Sequence, residues 1–295
     1  MSRVTGRHRM RFWLPVLAVL LALSFFYSLA VGPLAISLSD LVAIVAGQTH
    51  DPTHSAVIFK IRLPRALLAA LVGAALSVSG AAFQAVLRNP LADPYILGVS
   101  GGAALGAVTA IWLGFSSALF LPASAFLGAL AALAAVYWVA RAHRGSSHTL
   151  ILCGVIVGSL ASAILLFILW LSPADQTRAA IFWLTGNLSM ADYGLFRWIL
   201  PVVLVAFIAL WVTSRSLDLF TQGEETAADL GLAVGRARLL VFVAAGAMTA
   251  AVVSVAGLIG FVGLTIPHIT RLLFGPAHHR LLPASALMGA AFLVL

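Results

Sequence analysis

Charge is scarce in this chain: Asp, Glu, Lys and Arg together make up 9% of its 295 residues, against about 25% in an ordinary soluble domain. It has one cysteine, Cys153, set in an apolar run, so neither a disulfide framework nor a cysteine-based metal site can be assembled from it. It has a single lysine, Lys60, with no glycine loop before it. A Walker A phosphate loop is thereby excluded, and with it that route to binding ATP. Carboxylates are missing from the middle of every apolar run. Asp40, Asp51, Asp93, Asp175 and Asp192 fall in loops or at run ends, and Asp218, Glu224, Glu225 and Asp229 crowd into one loop. Proton-coupled carriers place acids within their spans, so this pattern counts against one.

What is abundant is apolar sequence, 62% of the chain. Runs long enough to cross about 30 Å of hydrocarbon recur near 12–32, 64–87, 95–114, 118–140, 149–171, 195–214, 238–256, 258–274 and 281–295. The pattern predicts an all-α polytopic membrane protein with about nine transmembrane helices in a single domain covering 1–295. The last run stops at Leu295, short of the roughly 20 residues a span needs, and is read as a ninth helix cut short. Near the N-terminus, Ser28-Leu29-Ala30 is a tolerable signal-peptidase site, but the run before it has the length of a full span and is read as an uncleaved first helix.

The net charge of +8 sorts by side. With the N-terminus inside, a cytoplasmic arm 1–11 carries Arg3, Arg7, Arg9 and Arg11. The other inside loops carry Arg88, Arg141, Arg144, Arg215, Arg236, Arg238, Arg271 and Arg280. Lys60, Arg62, Arg65, Arg178 and Arg197 fall outside. This is the positive-inside bias of a membrane protein, and it explains the basic balance without a nucleic-acid partner. Lys60, Arg62 and Arg65 nonetheless form an exception on the outer side.

The segment 88–107, RNPLADPYILGVSGGAALGA, is the densest in special residues. Asn89-Pro90 and Asp93-Pro94 interrupt helix continuation, because the residue before a proline is pushed out of the α region. Asp93 is placed to cap the next helix. Gly98, Gly102 and Gly106 recur every fourth residue, which puts them on one helix face where backbones approach closely. Gly98-Val99-Ser100-Gly101-Gly102 also fits G-x-S-x-G. A hydrolase elbow needs a preceding strand and an α/β sheet, and neither is expected here. An intramembrane serine protease, with Ser100 as nucleophile and His268 in a later span, is the enzyme alternative. A short echo links Ser77-Val78-Ser79-Gly80, ten residues before Pro90, to Ser254-Val255-Ala256-Gly257, ten before Pro267. Copies five spans apart would run in opposite directions, as in the inverted repeats of transporters.

The wider pattern is more specific. Arg62-Leu63-Pro64-Arg65, Gly80, Gln84, Arg88-Asn89-Pro90-Leu91-Ala92-Asp93-Pro94 and Leu97-Gly98-Val99-Ser100 come in order. They are followed by Trp183-Leu184-Thr185-Gly186-Asn187-Leu188, Gly223-Glu224-Glu225-Thr226-Ala227 with Leu230-Gly231, Gly257 to Leu264, Pro267-His268, Arg271, and His279-Arg280-Leu281-Leu282-Pro283. Together they resemble the FecCD family, the membrane permeases of ABC importers for iron-siderophores, haem and vitamin B12. The resemblance implies a ten-helix permease working as a homodimer. Two cytoplasmic ATPase subunits carry ATP and Mg, and a periplasmic substrate-binding protein docks from outside. This chain would bind no cofactor or metal itself and would sit in the bacterial inner membrane.

The resemblance also gives candidate roles. In the family the two arginines of R-x-P-R, here Arg62 and Arg65, meet acids on the binding protein; anchoring at lipid headgroups is the plainer reading. The segment 221–231, with Thr221 and Glu224 in capping-box spacing and Gly231 as a stop, is a brief cytoplasmic helix. It is either simply solvated or, as the resemblance implies, seated on the ATPase through Gly223, Glu224, Glu225, Ala227, Leu230 and Gly231. The histidines are read without metal. His268 packs near a helix break, His50, Asp51 and His54 belong to a polar loop, and His143, His148, His278 and His279 extend basic loops. An ion-coupled secondary transporter, with a sodium site built from backbone carbonyls, is the main alternative to ATP-driven import.

Overall fold

The structure, a computed structural model, describes residues 3–34, 36–48, 52–115, 117–142 and 146–295. It is helical throughout, with no strand among the described residues. Each of the nine apolar runs is occupied by a helix. These are α1 (Arg3–Ala30), α4 (Leu63–Val86), α5 (Val99–Trp112), α6 (Phe120–Ala142), α7 (Ser147–Leu171), α9 (Tyr193–Val212), α12 (Val234–Ala256), α13 (Val262–Phe274) and α14 (His278–Val294). Between them lie α2 (Leu38–Val45), α3 (Pro52–Val57), α8 (Ala174–Leu184), α10 (Ser214–Phe220) and α11 (Glu224–Asp229). Of these, α11 alone matches an expected short helix. His50, Asp51, His143 and Arg144 lie outside the described residues, as do the side chains of Arg3, Arg7, Arg9 and Arg11.

The bundle is built around α4, which is buried along most of its length. Its sequence is rich in Ala, Gly and Ser, and in lipid such residues let backbones approach where the hydrophobic effect offers no drive between helices. At Gly80 the approach is absolute: a Cβ there would lie 1.8 Å from the carbonyl oxygen of Gly263 on α13. Near the end of α4, Phe83 meets Phe242, near the start of α12, with ring centroids 6.4 Å apart. Val86, at the end of α4, is also joined through Ser147 and Glu224 to Arg238, still nearer the start of α12, so the two helices run antiparallel, as the echo implied. The echo itself is not equivalent in detail. Gly80 lies inside a helix that continues to Val86, whereas Gly257 ends α12 with φ 69°. Pro90 stands in a loop and Pro267 inside α13.

Three stretches depart from straight helix. Ile58–Arg62 forms a π-turn between α3 and α4, making one continuous 35-residue run from Pro52 to Val86. Pro64 lacks the N–H that would bond to Lys60, and its ring would crowd that carbonyl; a wider turn just before it relieves both. The other two concern α5 and α13, with 14 and 13 residues. At about 1.5 Å per residue each covers only about two thirds of the hydrocarbon layer. The runs read as full spans at 95–114 and 258–274 are thus discontinuous. The first opens with a 3₁₀ turn, Pro94–Leu97, and the second with the non-helical segment 257–261.

Candidate functional site

The ends of the helices sort the charges into two groups. At one end lie Lys60, Arg62 and Arg65, joined to the start of α9 by the Tyr193 hydroxyl, which donates to the Phe59 carbonyl at 2.7 Å. The two arginines of R-x-P-R have different surroundings. Arg62 is buried, and its Nη1 donates to the carbonyls of Leu29 at 2.6 Å and Ala30 at 2.9 Å. Its Nη2 donates to Leu34. The guanidinium thereby fastens the end of α1 and the loop after it onto α4. Arg65 is exposed, as is Lys60. Paired by sequence, the two arginines are divided by the fold: one charge is turned inward and one outward.

Between the ends lie the interrupted helices. After α4, Arg88 takes a positive φ of 51°. The Asn89 side-chain oxygen then accepts from the Leu91 N–H at 2.9 Å, and that of Asp93 accepts from Tyr95 at 2.8 Å. Asp93 does act as a cap, but it caps the 3₁₀ turn and not α5. Gly98 then reverses the backbone with φ 77° and ψ 2°, a left-handed geometry that glycine adopts without steric cost. Gly98 therefore does not share the helix face of Gly102 and Gly106, as its spacing had implied. Those two do pack as expected: a Cβ at Gly102 would come within 2.4 Å of the Gly128 carbonyl oxygen, and one at Gly106 within 2.2 Å of that of Ser124, both on α6.

The two interruptions are tied together by side chains to which sequence reasoning gave no role. The Tyr95 hydroxyl donates to the Ile259 carbonyl at 2.9 Å and accepts from the Ile259 N–H at 3.1 Å. Gln84 is buried on α4; its Nε2 donates to Leu264 at 3.2 Å and more weakly to Ala92 at 3.4 Å. Its Oε1 accepts from Arg271 at 3.0 Å. One amide thus joins α4, the segment after it and α13. Gln84 and Arg271 were visible as motif members, but nothing local signals that they meet 187 residues apart in sequence. At Gly257, a Cβ would lie 2.4 Å from the Trp183 carbonyl oxygen, and the adjacent Ala256 carbonyl accepts from Asn187 at 2.8 Å.

The opposite end carries Arg88, Arg238, Asp218 and the segment 221–231. Here Glu224 turns inward. Its carboxylate pairs with Arg238 at the start of α12 and accepts from the Ser147 hydroxyl at 2.9 Å. Ser147 also bonds the Val86 carbonyl at the end of α4. The six-residue α11 is capped by Gly223, with φ 114°, and not by Thr221, whose hydroxyl bonds back to Asp218. The expected capping box is therefore absent. The stop at Gly231 is as expected: Gly231 and Leu232 donate to the carbonyls of Ala228 and Ala227, the paired bonds of a Schellman motif. Glu225 and Leu230 are exposed and Ala227 is buried. A cleft of about 590 Å³ opens beside α11, lined by Arg88, Ser146, His148, Gln222 and Glu225 among others.

His278, read as part of a basic loop, is instead the first residue of α14 and 1% exposed. Its Nδ1 lies 2.7 Å from Asp218 Oδ1, and its backbone N–H donates to the same oxygen at 2.9 Å. Burial pushes the Asp218 carboxyl upward, but these bonds outweigh it and hold its pKa below the ordinary 3.8.

Ser100 is half-buried in the first turn of α5, and His268 is exposed on α13. No hydrogen bond joins Ser100 to a histidine among the described residues, so the protease alternative has no geometry behind it. His54 Nδ1 stands 4.0 Å from Asp40 Oδ2. No group of three His, Cys, Asp or Glu suited to a metal ion occurs among the described residues.

Comparison with known proteins agrees with this architecture. A cobalamin import system permease of Halobacterium salinarum is 44% identical over 243 residues, covering 82% of this chain and 66% of that one. An Fe(3+)-citrate import system permease of Bacillus subtilis is 36% identical over 281 residues, covering 95% of this chain and 84% of its own length. A solved metal-chelate type ABC transporter in an inward-facing conformation superposes with a TM-score of 0.87 at 34% identity, covering 95% of this chain and 87% of that one. Residues 20–295 match the FecCD transport family model. By that match over nearly the whole chain and by these relatives, the chain belongs to the FecCD transport family.

Proposed function

We propose that this chain is the membrane permease of an ABC importer carrying a bulky metal chelate across the bacterial inner membrane, with its N-terminus in the cytoplasm. A ferric siderophore is the first candidate cargo, followed by cobalamin and haem. The observation that carries this reading is the close superposition on a metal-chelate type ABC transporter over nearly the whole chain. It is joined by a cytoplasmic segment built for contact in a chain without a phosphate loop. Energy then comes from a partner ATPase, and α11 is the element placed to receive it. Glu224 holds α11 to α7 and α12 through Ser147 and Arg238, so a push on α11 is passed to both helices.

The transport path is formed with a second copy of the chain. Support comes from α7, which leaves Leu152, Ile156, Leu160, Phe167 and Trp170 exposed along its length. At the outer end Arg65, assisted by Lys60, meets carboxylates of a periplasmic binding protein. Charge complementarity there orients the partner and speeds its encounter. Arg62 acts indirectly, by holding the ground on which Arg65 stands. The cycle is alternating access: the docked protein releases cargo between the two copies, and ATP binding and hydrolysis switch which end is open. In proteoliposomes with the ATPase and binding protein, uptake requires ATP and ignores ion gradients. Uptake driven by a sodium or proton gradient without ATP would overturn the proposal.

A further inference from the structure

At the end of the bundle that carries α11, a cavity of about 460 Å³ lies between α6, α7 and α12, lined by Tyr137, Arg141, Leu150, Arg236, Arg238 and Phe242 among others. Its lining joins three arginines to aromatic and aliphatic side chains, and none of its lining residues is acidic. Glu224 engages Arg238, which leaves Arg141, in the last turn of α6, and Arg236, in the first turn of α12, as exposed cations over the cavity. Arg236, in the opening turn of a 23-residue helix with no acid in that turn, opposes the positive end of its dipole. An anion between Arg236 and Arg141 relieves that repulsion.

A second apolar face of α12 begins below Arg236. Arg236, Leu240, Val243, Ala244 and Ala247, at i, i+4, i+7, i+8 and i+11, form a single stripe of α12. From Leu240 onward this stripe forms one wall of a second groove, of about 530 Å³, whose other wall is Val205 and Ala209 of α9. That groove is lined by apolar residues throughout. Trp138, 80% exposed and three residues before Arg141, and Trp211, exposed at the same end of α9, mark the level of the membrane interface, where tryptophan concentrates.

We infer that Arg141 and Arg236 bind the headgroup phosphate of an anionic phospholipid, with an acyl chain lying in the groove between α9 and α12. Charge complementarity selects the headgroup, and the position of Arg236, which lines the basic cavity and heads the apolar stripe, selects a lipid over a soluble anion. Basic pockets between helices on the cytoplasmic side are suited to anionic headgroups in general. The site needs only that α6, α9 and α12 cross a bilayer, so it does not depend on the cargo or on the ATPase.

The test uses the full chain in nanodiscs of phosphatidylcholine doped with phosphatidylglycerol, with bound lipid counted by native mass spectrometry. The expected result is retention of phosphatidylglycerol about tenfold above phosphatidylcholine, lost in Arg141→Gln/Arg236→Gln and kept in Arg141→Lys/Arg236→Lys. Ala247→Trp, which fills the groove and leaves both arginines, should lower retention as well. Equal retention of the two lipids by the unaltered protein overturns the proposal, and that comparison stands even if the double variant does not fold. Unchanged retention in Arg141→Gln/Arg236→Gln also overturns it. Displacement of the lipid by millimolar inorganic phosphate would make this a soluble-anion site and remove the lipid assignment.

Discussion

The two ends of the bundle use charge in opposite ways. At the end that carries R-x-P-R, the Arg62 guanidinium is satisfied by neutral carbonyls of residues 29, 30 and 34, so its positive charge survives next to exposed Arg65 and Lys60. At the opposite end the buried Arg238 is met by the Glu224 carboxylate, and His278 is bonded to Asp218. A charge held by dipoles builds structure and keeps its field for a partner. A charge held by a counter-charge builds structure and spends most of its field locally. On the proposed function, the first end suits attraction of an acidic surface at a distance, and the second suits transmission of force by rigid contact.

The largest effect expected from breaking this contrast is at Arg62. Arg62→Met removes a charged donor from three carbonyls at once. With hydrogen bonds to charged groups worth about 1.5–3 kcal/mol each and partial access of water afterwards, a loss of about 3 kcal/mol is expected. Thermal unfolding in detergent measures it, and amide exchange should rise around 29–34 and remain unchanged in α11. An unaltered melting temperature would mean that Arg62 is an ordinary surface cation. Next is Glu224→Gln, which keeps the shape of the side chain and removes its charge opposite Arg238. About 1–2 kcal/mol is expected, read as faster proteolysis between α10 and α12 and as weaker transport-coupled ATP hydrolysis. Glu225→Gln, at an exposed position, should change stability by less than about 0.5 kcal/mol. Equal loss of coupling in both variants would show that α11 acts by its surface charge and not by its attachment.

The contrast explains what could be read from the sequence. Apolar run length located the helices because crossing a bilayer demands it, and the breaks at Asn89-Pro90 and Asp93-Pro94 followed from local backbone chemistry. The helices missed, such as α8 with its Asp175, Gln176 and Arg178, are short and polar enough to resemble loops. Side-chain direction was not legible at all. Arg62 and Arg65 differ only in what folds above them, and the acceptors of Arg62 lie 28 to 33 residues away. Thr221 and Glu224 have capping-box spacing, but Gly223 between them takes a φ of 114° that strongly favours glycine, and the cap moved there. His278 looked like one more residue in a basic loop because its partner, Asp218, is 60 positions earlier.

A smaller effect is expected from acid. The pKa of Asp218 is lowered in the folded protein relative to 3.8, so the unfolded chain binds the proton more readily. The contribution of this carboxylate is complete above 3.8 and disappears as pH falls through the lowered value. Contact between α10 and α14 should therefore hold at neutral pH and weaken only in strong acid. In Asp218→Asn that part of the acid dependence should vanish. Fluorescence of Trp211, whose Nε1 donates to the His279 carbonyl beside this pair, is a local reporter. A transition near neutral pH that disappears in Asp218→Asn would contradict the assignment.

The smallest effect on stability, and the most discriminating one, is at Arg65. Its side chain is exposed, so Arg65→Glu should shift unfolding by no more than about 0.5 kcal/mol, in contrast to Arg62→Met. Its effect on a docking partner should be large, because reversing a charge replaces attraction by repulsion. Binding of the cognate periplasmic protein should weaken about tenfold or more, mostly through slower association, and the difference should shrink as salt rises. Lys60→Glu should act in the same direction. Arg62→Met with Arg65 intact then separates the two roles: if Arg62 only positions the end of α1, stability falls while the salt dependence of docking is retained. If salt dependence falls with it, the inward arginine also projects its field to the partner. The division of labour between the two arginines would then be one of degree.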